Sequence, residues 1–420
     1  MNDDRGSAVL GGAKRWELAV LAALPLLLYL PTLEFGYVLD DKIAVEENAF
    51  VQQGIRGIGA IFGSESFAGF VGEQPSRLVG ARYRPLSLAT FALEHELYGL
   101  NASRSHLINV VLYAVTTLVV YRFFRALVSG RASDRGFARL PFLAALLFAL
   151  HPLHSEVVAN IKGRDEILAL LLSLASVLAL LRFARQRSAA ALALSGSSFL
   201  LALLAKENAI TFLAVAPLTL FVFTEARPRR LGAAMLPLIA AGLLYLALRY
   251  HALGFALLGD GAESADLMNN PFLEASTAQR YGTIFYTWGV YLKLLLFPHP
   301  LTHDYYPYQI PLVGIADARA IAPLVAFLAM LAGGVALLRG RGIAAWSLLY
   351  FLATFSIVSN LFFSVGTFMN ERFLFMPSVG FCLLLAWILL SKLPGWLGAW
   401  PRLARRAPLA IAALFALGFA

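Results

Sequence analysis

From Trp16 to Leu390 the chain repeats one unit: an apolar run close to the roughly 20 residues that cross a bilayer, then a short charged link. A bilayer core offers no water to backbone groups, so such a chain has to fold as helices packed side by side. The runs fall at about 16–33, 106–128, 140–150, 167–181, 189–205, 209–223, 231–250, 321–338, 343–362 and 373–390. Their links alternate in chemistry. Arg122, Arg125 and Arg131 close one, Arg182, Arg185 and Arg187 another, and Arg227, Arg229 and Arg230 a third. The intervening links hold His, Asp, Glu and Lys instead. Excess arginine marks the cytoplasmic side, which puts the acidic and histidine-bearing links on the outer face. The pattern predicts an all-α integral membrane protein, a polytopic helical bundle of about 10–12 spans.

Only 14% of residues are charged, against about 25% in soluble domains, and the mean hydropathy is +0.72. The net charge of +9 sits mostly in the arginine links, so the expected surroundings are membrane lipids, with no nucleic acid. Lys14 and Arg15 precede the first run and no small-residue cleavage site follows it, which predicts an uncleaved first span. Residues 34–105 make the first and longest outer loop, expected to fold as a partly helical cap. Residues 279–297 are long enough to cross, but a crossing there would put Arg339 and Arg341 outside. A re-entrant or interfacial helix within a second outer loop, 251–320, avoids that conflict. The final apolar run, 407–420, is short for a span, so the chain is expected to be cut inside its last one. Cys382 stands alone in an apolar run and excludes an intramolecular disulfide.

The outer links carry the chemistry. Residues 150–166 pack His151, His154, Glu156, Lys162, Arg164, Asp165 and Glu166 between two apolar runs. Charge at a membrane boundary is costly unless paired or hydrated, so this density marks a functional site. His151, His154 and Glu156 could ligate a metal, but Pro152 interrupts the helical spacing and no thiolate or further histidine joins them. Phosphate binding by His and Arg fits better, and no metal is expected. Asp40 and Asp41 follow the first run; adjacent carboxylates repel, which raises one pKa toward the value a general base needs. Arg82 and Arg84 offer guanidinium forks suited to phosphate. His106 and Asn109 share a face at the head of the second run. Lys206 with Glu207, His303 with Asp304, and Glu371 with Arg372 repeat the theme on later links. Helix caps and interfacial anchors would account for any one of these; seven clusters on one face point to a site.

In this order the clusters resemble the transmembrane and tetratricopeptide-repeat O-mannosyltransferases, a family of the GT-C class of lipid-linked-sugar glycosyltransferases. The matching pieces are Leu39-Asp40-Asp41, Tyr83-Arg84-Pro85-Leu86, His106-Leu107-Ile108-Asn109, His151-Pro152-Leu153-His154-Ser155-Glu156 with Gly163-Arg164-Asp165, Lys206-Glu207, and Glu371-Arg372-Phe373. Asn208 stands where the family is expected to carry Gln, and no tetratricopeptide helices follow in this chain, which bears on the acceptor more than on the chemistry. The resemblance implies a GT-C-type bundle with a large first extracytoplasmic loop. It implies a metal-independent, cofactor-free, inverting transfer of a sugar, mannose in the family, from a polyprenyl-phosphate donor to a hydroxyl of a protein or glycan acceptor. Asp40 matches the family's acidic position for the base, with Asp41 beside it. A departing phosphate needs fixed cations; we assign Arg84, Arg164, Lys206 and Arg372, with His106, His151 and His154 as auxiliary donors. Glu156, Asp165, Glu207, Asp304 and Glu371 complete the expected substrate site. The active face is then periplasmic on a bacterial inner membrane, to which the Ala-, Leu- and Arg-rich composition leans, or lumenal in the endoplasmic reticulum. Two other readings stay open: a transporter or flippase of a lipid-linked or anionic solute, which calls for charges at the midplane and matched halves, and a non-catalytic binder of a lipid-linked glycan.

Overall fold

The computed structural model describes residues 14–72, 82–129, 135–225, 228–254, 270–305, 309–362 and 364–398, with scattered positions from 400 to 414. Arg131, Arg227, much of the second outer loop (255–269 and 306–308) and most of the last apolar run lie outside them. Among the described residues the chain is helical, with no strand. In order come α1 (Arg15–Leu28), α2 (Pro85–Tyr98), α3 (Ala102–Val128), α4 (Arg135–Ala149), α5 (Arg164–Gln186), α6 (Ala189–Ala205), α7 (Phe212–Phe223), α8 (Pro228–Leu253), α9 (Thr277–Leu296), α10 (Ala318–Leu338), α11 (Ile343–Ser356) and α12 (Ser378–Trp387). Each of the ten apolar runs read between 16 and 390 has a helix in its place.

Six stretches are long and apolar enough to cross a bilayer: Arg15–Glu34, Ala102–Val128, Ile161–Gln186, Leu231–Leu253, Ala318–Leu338 and Ser378–Trp396. A seventh forms if Ala138–Ala149 and Pro152–Val158, bent by 52° at their break, make one span. Three further runs among the described residues are shorter apolar helices, Ala189–Ala205, Glu207–Phe223 and Ile343–Ser356. The shortening has a local cause. Lys206 ends α6 in extended backbone (φ −160°, ψ 137°), and its charge is buried within the bundle rather than carried out to an interface.

α5 is the central helix, with α3, α6 and α7 packed on it. Small residues let α6 close on both its neighbours: Ser176 Oγ donates to the Ser195 carbonyl at 2.8 Å, and a Cβ on Gly196 would lie 2.8 Å from Pro237 of α8. Trp346 of α11 is fully buried and donates its indole N–H to Thr219 Oγ1 of α7 at 2.9 Å. The two ends of the bundle differ. At one, Arg341 meets Glu225 at 3.4 Å and lies over Phe221, and Arg185 donates to the Ala126 carbonyl. The histidine and carboxylate links gather at the other. There residues 42–71 and α2 form a helical cap around Val51, Ile61, Phe67, Leu88 and Phe91.

α9 runs beside the first part of α10 in the same direction. Gly282 packs on Val313 and Gly314, Gly289 on Pro323, and Trp288 stacks near Phe327 at 4.6 Å. α10 therefore begins beside the start of α9, and Arg341 ends beside Glu225 at the arginine end.

Candidate active site

The 150–166 link is built to turn sharply and then restart. Pro152 cannot continue α4, and the chain bends there into three short turns, Pro152–His154, Ser155–Val158 and Ile161–Gly163. Asn160 accepts from Gly163 N at 3.2 Å, and Gly163 is required because a Cβ would stand 2.1 Å from the Val157 carbonyl. α5 then opens with Arg164, Asp165 and Glu166. Successive helical residues point about 100° apart, so Arg164 turns to Glu94 and Asn109 while Asp165 and Glu166 turn to the side of Lys206, which meets both.

Asp165 is the hub. Its carboxylate meets Arg84 Nη1 at 2.7 Å and Lys206 Nζ at 3.1 Å. Arg84 also grips Glu207 through both Nε (2.8 Å) and Nη2, a bidentate fork. Lys206 reaches Glu166 at 2.8 Å, and Glu166 accepts from Asn208 Nδ2 at 2.8 Å. Arg372 pairs with Glu156 twice, through Nη1 at 2.9 Å and its backbone N–H at 2.7 Å. Taking one ion out of water costs several kcal/mol, so a buried layer of this kind stands only because nearly every charge in it has a partner.

Asp40 and Asp41 part company. Asp41 is fully buried and accepts the Lys162 backbone N–H at 2.7 Å and that of Val38 at 3.4 Å; burial pushes its pKa up to about 6. Asp40 keeps 35% of its side chain exposed and bonds Lys162 Nζ at 3.0 Å, whose charge holds its carboxyl well below the usual range. Leu39 just before them has φ +48°, the left-handed region that a leucine enters at a cost on the order of 1–3 kcal/mol. That turn is what points Asp40 toward solvent while Asp41 is tucked under the link. A small cavity lies alongside, lined by Arg82, Arg84, Lys162, Asp165, Ser66 and Phe67.

Other residues singled out by sequence lie in the same layer with their polar groups turned to the protein. Arg164 is fully buried: Nε donates to Asn109 Oδ1 at 2.7 Å, Nη1 to Glu94 and to Thr90 Oγ1 (3.2 Å), Nη2 to the Ser105 carbonyl (3.0 Å), with the Phe91 ring 4.1 Å away. His154 joins Tyr113 (2.8 Å) and Ser378 (2.9 Å), and His151 joins the Leu295 carbonyl of α9 (3.1 Å). His106 is buried beside Phe35, its rings 6.2 Å apart, and faces the Gly36 backbone without a well-aligned hydrogen bond. Glu371 accepts from Thr302 N (2.7 Å) and Tyr305 Oη (3.0 Å), and burial pushes its pKa up to about 7. Asp304 stands exposed one residue away; it is Tyr305 that ties the second outer loop to Glu371. Sequence reasoning placed Lys162 in the charged link without giving it a role of its own and did not single out Glu94; both carry as much of the network as the residues it assigned.

The sequence profile of a family described as Protein O-mannosyl-transferase TMTC, DUF1736 matches residues 266–331. Protein O-mannosyl-transferase F38B6.6 of Caenorhabditis elegans is 29% identical over 378 residues, which cover 90% of this chain and 51% of that protein. Protein O-mannosyl-transferase TMTC1 of Homo sapiens is 31% identical over 430 residues, covering 92% and 47%. The chain thus spans about half the length of the curated relatives it matches. Among solved structures, ArnT from Cupriavidus metallidurans bound to undecaprenyl phosphate superposes on 97% of this chain and 76% of its own with 13% identity and a TM-score of 0.47, a loose likeness.

Proposed function

Taking its similarity to the TMTC protein O-mannosyl-transferases as the premise, we propose that this chain is the membrane part of a glycosyltransferase that moves mannose from a polyprenyl-phosphate carrier to a Ser or Thr hydroxyl of a protein, inverting the sugar. The observation that carries the reading is Asp40: a partly exposed, ionised carboxylate bonded to Lys162, which lines a small cavity together with Arg82 and Arg84 where the outer links of the bundle converge. In the transfer the bond from the sugar's C1 to the phosphate oxygen breaks, and its electron pair stays with the phosphate. The acceptor oxygen bonds to C1 as Asp40 takes the hydroxyl proton. Fixed cations stabilise the departing phosphate, and in this reading no metal or cofactor takes part. Arg84, Lys206 and Arg372, already paired with carboxylates, hold the walls of the site. Arg164, His151 and His154 position the link that carries it. The face that bears the site is the one opposite the arginine links, periplasmic or lumenal.

The test is a transfer assay in reconstituted membranes with radiolabelled mannose on a polyprenyl phosphate, on guanosine diphosphate, or free, and a protein extract as acceptor. Label entering protein only from the lipid-linked donor supports the reading. Equal or better transfer from the nucleotide sugar overturns it.

A further inference from the structure

Six cations crowd the polar layer around Asp165, and five have a carboxylate within 4 Å: Arg84, Lys162, Arg164, Lys206 and Arg372. Arg82 has none among the described residues. Its backbone is fixed by Ser66 and Glu65: Ser66 N donates to the Arg82 carbonyl at 2.9 Å, and Arg82 N donates to Glu65 Oε1 at 3.4 Å. The next residue but one, Arg84, donates its N–H to Ser66 Oγ at 3.0 Å, so the strap is held on both sides of Tyr83. The guanidinium lies 5.3 Å over the Phe67 ring, on the wall of the cavity, within Coulombic range of Asp40, Glu207, Arg84 and Arg372. A mostly buried cation among other cations is held at a cost unless an anion arrives. Burial, and then the Arg84 charge, push its pKa down from the ordinary guanidinium value, as that cost requires.

We infer that Arg82 is the anchor of the donor's phosphate, an inference that rests on the transfer reading above. A donor phosphate would give Arg82 the close anion it lacks among the described residues, where Asp40 and Glu207 act on it only at longer range. A guanidinium set over an aromatic ring with no carboxylate on its N–H groups can offer its fork to two oxygens of one phosphate. An inverting transfer then requires the sugar carbon to lie between a phosphate on Arg82 and the carboxylate of Asp40. Arg84, whose fork is spent on Glu207 and Asp165, is the wall against which Arg82 is set.

The test measures binding of a C55 polyprenyl phosphate, the same polyprenol without phosphate, and inorganic phosphate to the detergent-solubilised full chain. We expect Arg82→Ala to weaken polyprenyl phosphate about 10- to 100-fold, as the loss of a charge-assisted fork does, and to leave polyprenol binding unchanged. Arg82→Lys, which keeps the charge and loses the fork, falls between. Equal polyprenyl-phosphate affinity in wild type and Arg82→Ala overturns the inference and leaves the donor reading standing. Wild type that prefers polyprenyl phosphate no better than polyprenol overturns the donor reading and the inference with it. Inorganic phosphate bound as tightly as the lipid, with the same loss in Arg82→Ala, overturns the lipid assignment in favour of a free anion. If Arg82→Ala also loses polyprenol, the comparison of wild type with Arg82→Lys decides, and equal affinities there overturn the inference.

Discussion

Arg164→Ala is expected to damage the fold before it touches chemistry. The side chain is fully buried, and its removal strands the Asn109 side-chain carbonyl and leaves the Glu94 carboxylate without a cation among the described residues, held only by the Ser105 hydroxyl at 2.8 Å. Breaking one partner out of a buried pair costs about 3–5 kcal/mol, most of it the orphaned charge. Whole domains are stable by only about 5–15 kcal/mol, so the variant should unfold many degrees lower in a detergent melt. Arg164→Lys keeps a cation but cannot reach Asn109, Thr90, Glu94 and the Ser105 carbonyl at once, and should lose about half as much. The sharper arm is the double variant Arg164→Met with Glu94→Leu. With no carboxylate left unpaired, it should recover most of the stability that Arg164→Ala loses. Arg164→Ala that melts with wild type yet no longer binds donor would refute this reasoning and make Arg164 a ligand contact.

Gly282→Ala should weaken the docking of α9, because its Cβ would stand 2.3 Å from the Val313 carbonyl and 2.4 Å from Gly314; overpacking of this kind costs about 1–3 kcal/mol, read as a lower melting midpoint. Asp41 and Glu371 both bind a proton more tightly folded than unfolded, at about 6 and about 7 against the ordinary 3.8 and 4.5. The folded state holds the extra protons in those windows, so these two groups make stability fall as pH rises from about 4 to about 7. Melting midpoints of wild type and Glu371→Gln should therefore diverge between about pH 4.5 and 7, with wild type losing ground; parallel curves would count against the raised pKa. Asp41→Asn should do the same over the lower window, ending near pH 6.

Apolar length and the alternation of arginine with other charges were enough to place the helices, because those signals are local. α6 begins and ends at Ala189 and Ala205, where the apolar run itself begins and ends. The ion pairs were not legible, since Arg84 and Asp165 are 81 residues apart and Glu156 and Arg372 216 apart, and only packing decides which opposite charges meet. Glu94 reads as an ordinary solvent-facing residue of α2 until Arg164 is seen to need it. Asp40 and Asp41 look alike as a dipeptide; the left-handed turn at Leu39 is what separates an exposed carboxylate from a buried one. The repulsion argument expected one raised pKa, and one is raised, but by burial and at Asp41, the residue without access to a substrate. Arg82 was read as half of a pair with Arg84, and its lack of a carboxylate emerges only from the assembled layer.

The account stands or falls on Asp40. The direct measurement is single-turnover transfer of labelled mannose from polyprenyl phosphate by wild type and Asp40→Asn, with melting midpoints taken on the same samples. The account predicts a loss of about 10²- to 10⁴-fold, the usual share of a general base, with donor binding retained and the melt close to wild type. Undiminished transfer by Asp40→Asn would contradict it.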